Sequence, residues 1–142
     1  MKIMLVEDLT ADAVLLREAL VDVGLGQDLV IAEDGRTALD QLQSGKPLPS
    51  LVLLDLNLPG VSGRQVLEDI RADPRLAQLP VVVMSTSNAP ADVKFAYQHQ
   101  ANAYVRKPNG FVALQHVATA IKDFWVRTAT LPSPFVPPPV SA

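Results

Sequence analysis

Five polar residues stand where a folding core would not choose them. Glu7 and Asp8 follow the apolar run Ile3-Met4-Leu5-Val6, and Asp55 follows Leu51-Val52-Leu53-Leu54. Ser85 follows Val81-Val82-Val83-Met84, and Lys107 lies just past Ala103-Tyr104-Val105. A carboxylate at the end of a buried strand is costly to desolvate unless it is used. Three carboxylates brought together repel and raise one another's pKa, a conflict that a divalent cation removes. Hard oxygen donors without His or Cys suit Mg²⁺, with Mn²⁺ as the alternative, held by one or two carboxylates plus water and phosphate oxygens. An acid, a metal, a hydroxyl and a lysine together describe a phosphoryl site. Asp55 is then the nucleophile, the metal neutralises charge, and Ser85 and Lys107 grip the phosphoryl oxygens. Thr86, next in the hydroxyl cluster Ser85-Thr86-Ser87, joins the candidate phosphoryl-binding groups.

Such a site needs a frame that brings strand ends together, and the hydrophobic pattern supplies one. Strands are predicted at 3–6, 29–32, 51–54, 81–84 and 103–105. They are short and continuously apolar rather than alternating, as expected of strands covered on both faces. Between them, apolar residues recur at helical spacing. Residues 11–23 form an amphipathic helix, with Thr10 as N-cap, Asp12 in the first turn and Gly24 and Gly26 closing it. Asp34 opens a second helix carrying Ala38, Leu39 and Leu42, stopped by Gly45 and Pro47. Ser62 and Gln65 have capping-box spacing ahead of Val66, Leu67 and Ile70, and this helix stops before Pro74. Pro90 suits the first turn of a fourth helix, and the last runs over about 111–126. Strand and helix alternate five times. That calls for an α/β fold, a doubly wound parallel sheet with helices on both faces and right-handed crossovers. In such a sheet the site lies outside the carboxyl ends of the strands, where the five polar residues fall. The folded body is placed at 1–127. Residues 128–142, with Pro132, Pro134 and Pro137-Pro138-Pro139, read as an extended or disordered tail.

On these residues the chain resembles the receiver domain of bacterial two-component response regulators, over about residues 2–126. The resemblance rests on Glu7-Asp8, on Asp55 within Leu-Leu-Asp-Leu-Asn-Leu-Pro-Gly, and on Ser85, Tyr104 and Lys107-Pro108, in that order and at those intervals. It implies the flavodoxin-like strand order 2-1-3-4-5. It also implies phosphorylation of Asp55 by a sensor histidine kinase, with the metal on the Asp8 and Asp55 side chains and the Asn57 backbone carbonyl. Glu7 would act through water or by orienting the acids. Ser85 would move toward the aspartyl phosphate, Tyr104 would turn inward with it, and the Lys107–Pro108 bond would be cis. The chain is similar in particular to stand-alone regulators paired with phytochrome-type light-sensing kinases, through Ala11-Asp12, Val81 to Ser87, Ala101-Asn102-Ala103-Tyr104 and Phe124-Trp125. That subgroup implies a homodimer through the last helix and fifth strand. Leu9, where many relatives carry a polar residue, is a departure that leaves the ligands intact.

Other classes are weighed against this reading. An aspartyl phosphatase generally places Asp-x-Asp at the first strand and needs a cap or substrate pocket; here the candidate nucleophile follows the third. A phosphate-sink receiver serving another kinase is the second alternative. A flavodoxin-like cofactor binder would want a Gly/Ser/Thr-rich loop after the first strand, and neither that nor a P-loop is present. Net charge is -3, which leaves no electrostatic footprint for nucleic acid or an anionic membrane. There are no cysteines, so thiolate metal sites and disulfides are excluded. No apolar run approaches the roughly 20 residues of a membrane helix. A cytoplasmic signalling protein that is not an enzyme is the expectation. His99 and His116 read as surface residues. Two adjacent large aromatics cannot both point at one sheet, so either Phe124 or Trp125 is expected outside, in an interface.

Overall fold

The computed structural model describes residues 1–8 and 11–132. Leu9, Thr10, the Asp12 side chain and the prolines from Pro134 onward, all drawn on above, lie outside the described residues. The elements alternate as β1 (Ile3–Val6), α1 (Ala11–Asp22), β2 (Leu29–Ala32), α2 (Gly35–Leu42), β3 (Leu51–Leu54), α3 (Gly63–Ala72), β4 (Val81–Ser85), α4 (Pro90–Gln98), β5 (Ala103–Arg106) and α5 (Phe111–Ile121). The five strands form one parallel sheet in the order β2-β1-β3-β4-β5.

Strand residues of alternate parity feed two separate cores, which is why the strands read as unbroken apolar runs. Met4, Val6, Val52, Leu54, Val81 and Val83 pack on one face with Leu39, Leu42, Val66, Leu67 and Ile70 of α2 and α3. Ile3, Leu5, Leu51, Leu53, Val82 and Met84 pack on the other with Leu16 and Leu20 of α1 and Leu114, Ala118 and Ile121 of α5. β1, β3 and β4 are buried throughout, whereas the edge strands β2 and β5 are mostly half-buried. Each central strand thus loses water from both faces, contributing roughly 1.5–3 kcal/mol per fully buried aliphatic side chain.

The helix starts follow local side-chain chemistry. Asp34 accepts from Thr37 N–H at 2.7 Å, and that bond to the α2 N-terminus holds its carboxyl below the usual carboxylate range. Ser62 accepts from Gln65 N–H at 3.2 Å, but the capping box is half made: the Gln65 amide turns along the helix to Asp69 Oδ1 at 2.7 Å instead of reaching back. α5 does not run unbroken to 126. It passes at Lys122 into a π turn, Lys122–Val126, where Arg127 N–H bonds the Lys122 carbonyl five residues back at 3.1 Å. This turn splits the aromatic pair. Trp125 packs against the α1/α5 core, and Phe124 stands 52% exposed, edge-on to Trp125 with ring centroids 5.0 Å apart. Opposite the carboxyl ends, Arg71 ties α3 to neighbouring loops through the Leu79 carbonyl at 2.7 Å, the Gln100 carbonyl at 3.0 Å and Asn102 Oδ1 at 3.1 Å.

Candidate functional site

The sheet register brings the acids together. Val6 pairs with both Ala32 and Leu54, so Glu7 and Asp55 leave the sheet side by side. Their backbones stay in the ladder: Glu7 N–H donates to Ala32 O and Asp55 N–H to Val6 O, each at 3.0 Å. Lys107, one residue past β5, reaches across β4 to both. Its Nζ donates to Glu7 Oε1 and, at 3.2 Å, to Asp55 Oδ2. The other Asp55 oxygen, Oδ1, accepts from Asn57 N–H at 2.9 Å. Asp55 is oriented from both sides while its carboxylate stays partly open, with the side chain 12% exposed.

Glu7 is the buried member, 2% exposed, and its Oε2 has no hydrogen-bond partner among the described residues. Burial pushes its carboxyl above the usual range; Lys107 pulls the other way, and the charges of Asp55 and Asp8 add to the rise. Burial alone would lower the Lys107 ammonium, but its bond to Glu7 and the charges of Glu7 and Asp55 outweigh that and hold it above the ordinary lysine value. One ammonium is shared by two carboxylates, Glu7 and Asp55, while the charge of Asp8 bears on Glu7.

Lys107 N–H donates to the Ser85 carbonyl at 2.7 Å, which extends the β4–β5 ladder to the site. No described peptide bond is cis, so the expected cis bond at Lys107–Pro108 is corrected: it is trans. The trans form is favoured by about 0.5–1 kcal/mol at an X–Pro bond, and Lys107 Nζ meets both carboxylates with that form in place. Ser85 closes β4 fully buried, its Oγ accepting from Ser87 N–H at 3.1 Å. Thr86 is exposed beside Lys107 and Pro108. Half-buried Tyr104 turns its hydroxyl onto the Ser87 carbonyl at 2.7 Å.

The structure therefore joins Glu7, Asp55 and Lys107 directly, with Asp8 half-buried at the next position and Asn57 exposed two residues beyond Asp55. Among the described residues, no three acidic or histidine side chains stand ready to hold a metal ion. Lys107 Nζ instead pairs with both Glu7 and Asp55. The donor set nevertheless fits a hard cation, because it is all oxygen and includes the unpaired Glu7 Oε2. His99 is engaged elsewhere, stacked on Phe95 at 4.0 Å and bonded through Nδ1 to the Phe95 carbonyl at 2.9 Å. His116 is exposed.

The family model for the response regulator receiver domain matches residues 3–119. The chain belongs to the response regulator receiver family. It is a phosphoacceptor module of two-component signalling. Response regulator Rcp1 of Synechocystis sp. is 40% identical over 136 residues, covering 92% of each chain. The crystal structure of the phosphorylated cyanobacterial phytochrome response regulator RcpA superposes with a TM-score of 0.86 at 41% identity, covering 93% of this chain and 98% of that one. The Mn²⁺-bound form of Rcp1 gives a TM-score of 0.83 at 38% identity, covering 94% and 100%. The receiver is thus homologous to stand-alone regulators of phytochromes, and its fold and strand order are those expected from the sequence.

Three residues of this region escape a reading of motifs alone. Gly63 lies against the Asp55 backbone, and Arg64 and Asp92 link α3 to α4 beside Ser87. Asp92 had a local signal, an acid in the first turn after Pro90. Gly63 and Arg64 had none, because their partners are distant in sequence.

Proposed function

We propose that Asp55 accepts a phosphoryl group from the phosphohistidine of a phytochrome-type sensor kinase, and that the change alters protein contacts. The observation that carries this is Asp55 itself: an open carboxylate at the sheet's carboxyl edge, fixed by Asn57 N–H on one oxygen and Lys107 on the other. An Asp55 oxygen attacks phosphorus as the bond from phosphorus to the imidazole nitrogen breaks; the imidazole leaves and an acyl phosphate forms. Lys107 faces the carboxylate where negative charge gathers, and Ser85 offers a hydroxyl at the neighbouring strand end. Asp8, Asp55 and the Asn57 carbonyl would hold Mg²⁺ or Mn²⁺, with the unpaired Glu7 oxygen behind them. When bound, the cation neutralises charge on the transferring group. The Mn²⁺-bound form of Rcp1 supports this assignment.

The same reading makes the chain a cytoplasmic switch rather than a turnover enzyme. Among the described residues no helix is long and apolar enough to cross a membrane. Residues 1–127 carry the receiver and 128–142 a tail. Exposed Phe124 supports a homodimer through α5 and β5. Sedimentation of Phe124→Ser is expected to show monomer where the unmodified chain shows dimer; an unchanged dimer would place the interface elsewhere.

The central test uses Mg²⁺ and phosphoramidate with intact-mass detection. One base-labile phosphoryl group is expected on the unmodified chain and none on Asp55→Asn. No adduct, or an equal adduct on Asp55→Asn, defeats the assignment. Phosphotransfer from candidate kinases tests the partner, and faster transfer from a kinase without a light-sensing module overturns the phytochrome pairing.

A further inference from the structure

Ser87, in the β4–α4 connection, is tied at every polar atom. Its N–H donates to Ser85 Oγ at 3.1 Å, and its carbonyl accepts from the Tyr104 hydroxyl at 2.7 Å. Its own hydroxyl donates to Asp92 Oδ2 at 2.5 Å and accepts from Ala89 N–H at 3.1 Å. The second Asp92 oxygen pairs with Arg64 of α3, whose guanidinium lies 5.5 Å from the centre of the Phe95 ring on α4. The Ser87 hydroxyl, and then the charge of Arg64, hold the Asp92 carboxyl below its usual range against the opposing effect of burial. A chain of contacts thus runs from α3 through α4 to the end of β4.

Ser85 is where that chain meets the chemistry. A serine hydroxyl has one proton to give and two lone pairs to receive. Ser87 N–H occupies a lone pair of the fully buried Ser85 Oγ, and among the described residues the Ser85 proton has no acceptor. A hydroxyl whose oxygen is held and whose proton is unspent can turn that proton to an incoming phosphoryl oxygen. We propose that Arg64 is a positioning residue for phosphoryl transfer, acting through Asp92 and Ser87 to hold the Ser85 hydroxyl with its proton free for the phosphoryl group. The proposal rests on the reading of Asp55 as phosphoacceptor. An exposed ion pair alone contributes little to stability. Here it orders a loop that must present one oxygen accurately, and such preorganisation acts on rate more than on folding.

The test follows the initial rate of adduct formation on the full chain with Mg²⁺ and phosphoramidate, well below each variant's unfolding midpoint. Arg64→Met is expected to slow the reaction roughly two- to fivefold, the rate equivalent of one partly exposed ion pair. Ser87→Ala deletes the hydroxyl but keeps the N–H and carbonyl; it is expected to give a similar loss, with no further loss when combined with Arg64→Met. In a Ser85→Ala background, slower overall, Arg64→Met is expected to change nothing. In the otherwise unmodified chain, Arg64→Lys is expected to keep part of the rate that Arg64→Met loses. An unchanged or faster rate for Arg64→Met, or an equal loss in the Ser85→Ala background, overturns the proposal while Asp55 stands. Absence of adduct on the unmodified chain, or its persistence on Asp55→Asn, overturns the phosphoacceptor reading and this proposal with it.

Discussion

Lys107→Met is expected to slow phosphorylation about a hundredfold, the usual order of loss when one preorganised donor to a developing charge is removed. It is also expected to destabilise the fold by about 3 kcal/mol at mildly alkaline pH, because a buried carboxylate loses its partner. Both effects trace to the same atom. Lys107 Nζ touches Asp55 Oδ2 and Glu7 Oε1, and the remaining Glu7 oxygen has no hydrogen bond to fall back on among the described residues. In the unmodified protein the raised Lys107 pKa means that this contribution is present below the ordinary lysine value of 10.5 and is lost as pH rises through the folded value.

The variant has a distinctive pH dependence. Without Lys107, the effects left on Glu7 are burial and the charges of Asp55 and Asp8, and all of them raise its pKa. An acid whose folded pKa lies above its unfolded value binds more protons when folded. The variant should therefore regain stability as pH falls through the folded Glu7 pKa, with recovery complete below the unfolded value near 4.5. In the unmodified chain the same recovery is smaller, because Lys107 already opposes the rise. Urea titrations across this range would check it. Mg²⁺ is expected to restore part of the variant's stability at neutral pH by supplying the missing charge. A loss independent of both pH and Mg²⁺ would assign the cost to packing of the lysine stem.

How much of this was legible in the sequence follows from the range of each interaction. The strands were readable because each is apolar on both faces, and the helix starts at Asp34 and Ser62 because capping is settled within three residues. The gathering of Glu7, Asp55 and Lys107 was readable because parallel alternation forces successive strand ends to one edge. The half-made cap at Gln65 was not, since Asp69 competes for the same amide. Nor was the π turn, whose bonds reach five residues back and leave no mark on apolar periodicity. The trans bond before Pro108 was not readable either, since an X–Pro bond takes both forms at small cost. The link from Arg64 to Asp92 spans 28 residues between polar surface positions, where pattern carries no information.

Gly63→Ala is expected to be the most damaging small substitution near the site. Gly63 is the first residue of α3, and its N–H donates to the Leu56 carbonyl at 3.1 Å, so α3 starts directly against the end of β3. A Cβ there would overlap the Asp55 carbonyl oxygen and lie 2.6 Å from Leu56 Cα. Both obstacles are backbone, so no rotamer change relieves them. Either α3 lifts from the sheet, breaking its contacts through Val66, Leu67 and Ile70, or the Asp55 backbone shifts. A cost of about 2–4 kcal/mol is expected, in the range of overpacking by a rigid neighbour. Phosphorylation is expected to fall at least about tenfold, since a displacement near 1 Å of a reacting group can cost more than that. Gly45→Ala separates this from glycine's conformational role. Gly45 has φ +82° with open space around it, so alanine there should cost only about 1 kcal/mol through backbone strain and leave transfer unchanged. If Gly63→Ala lost stability yet phosphorylated at the native rate, α3 would be the element that yields, and Asp55 would be held by β3 and Lys107 alone.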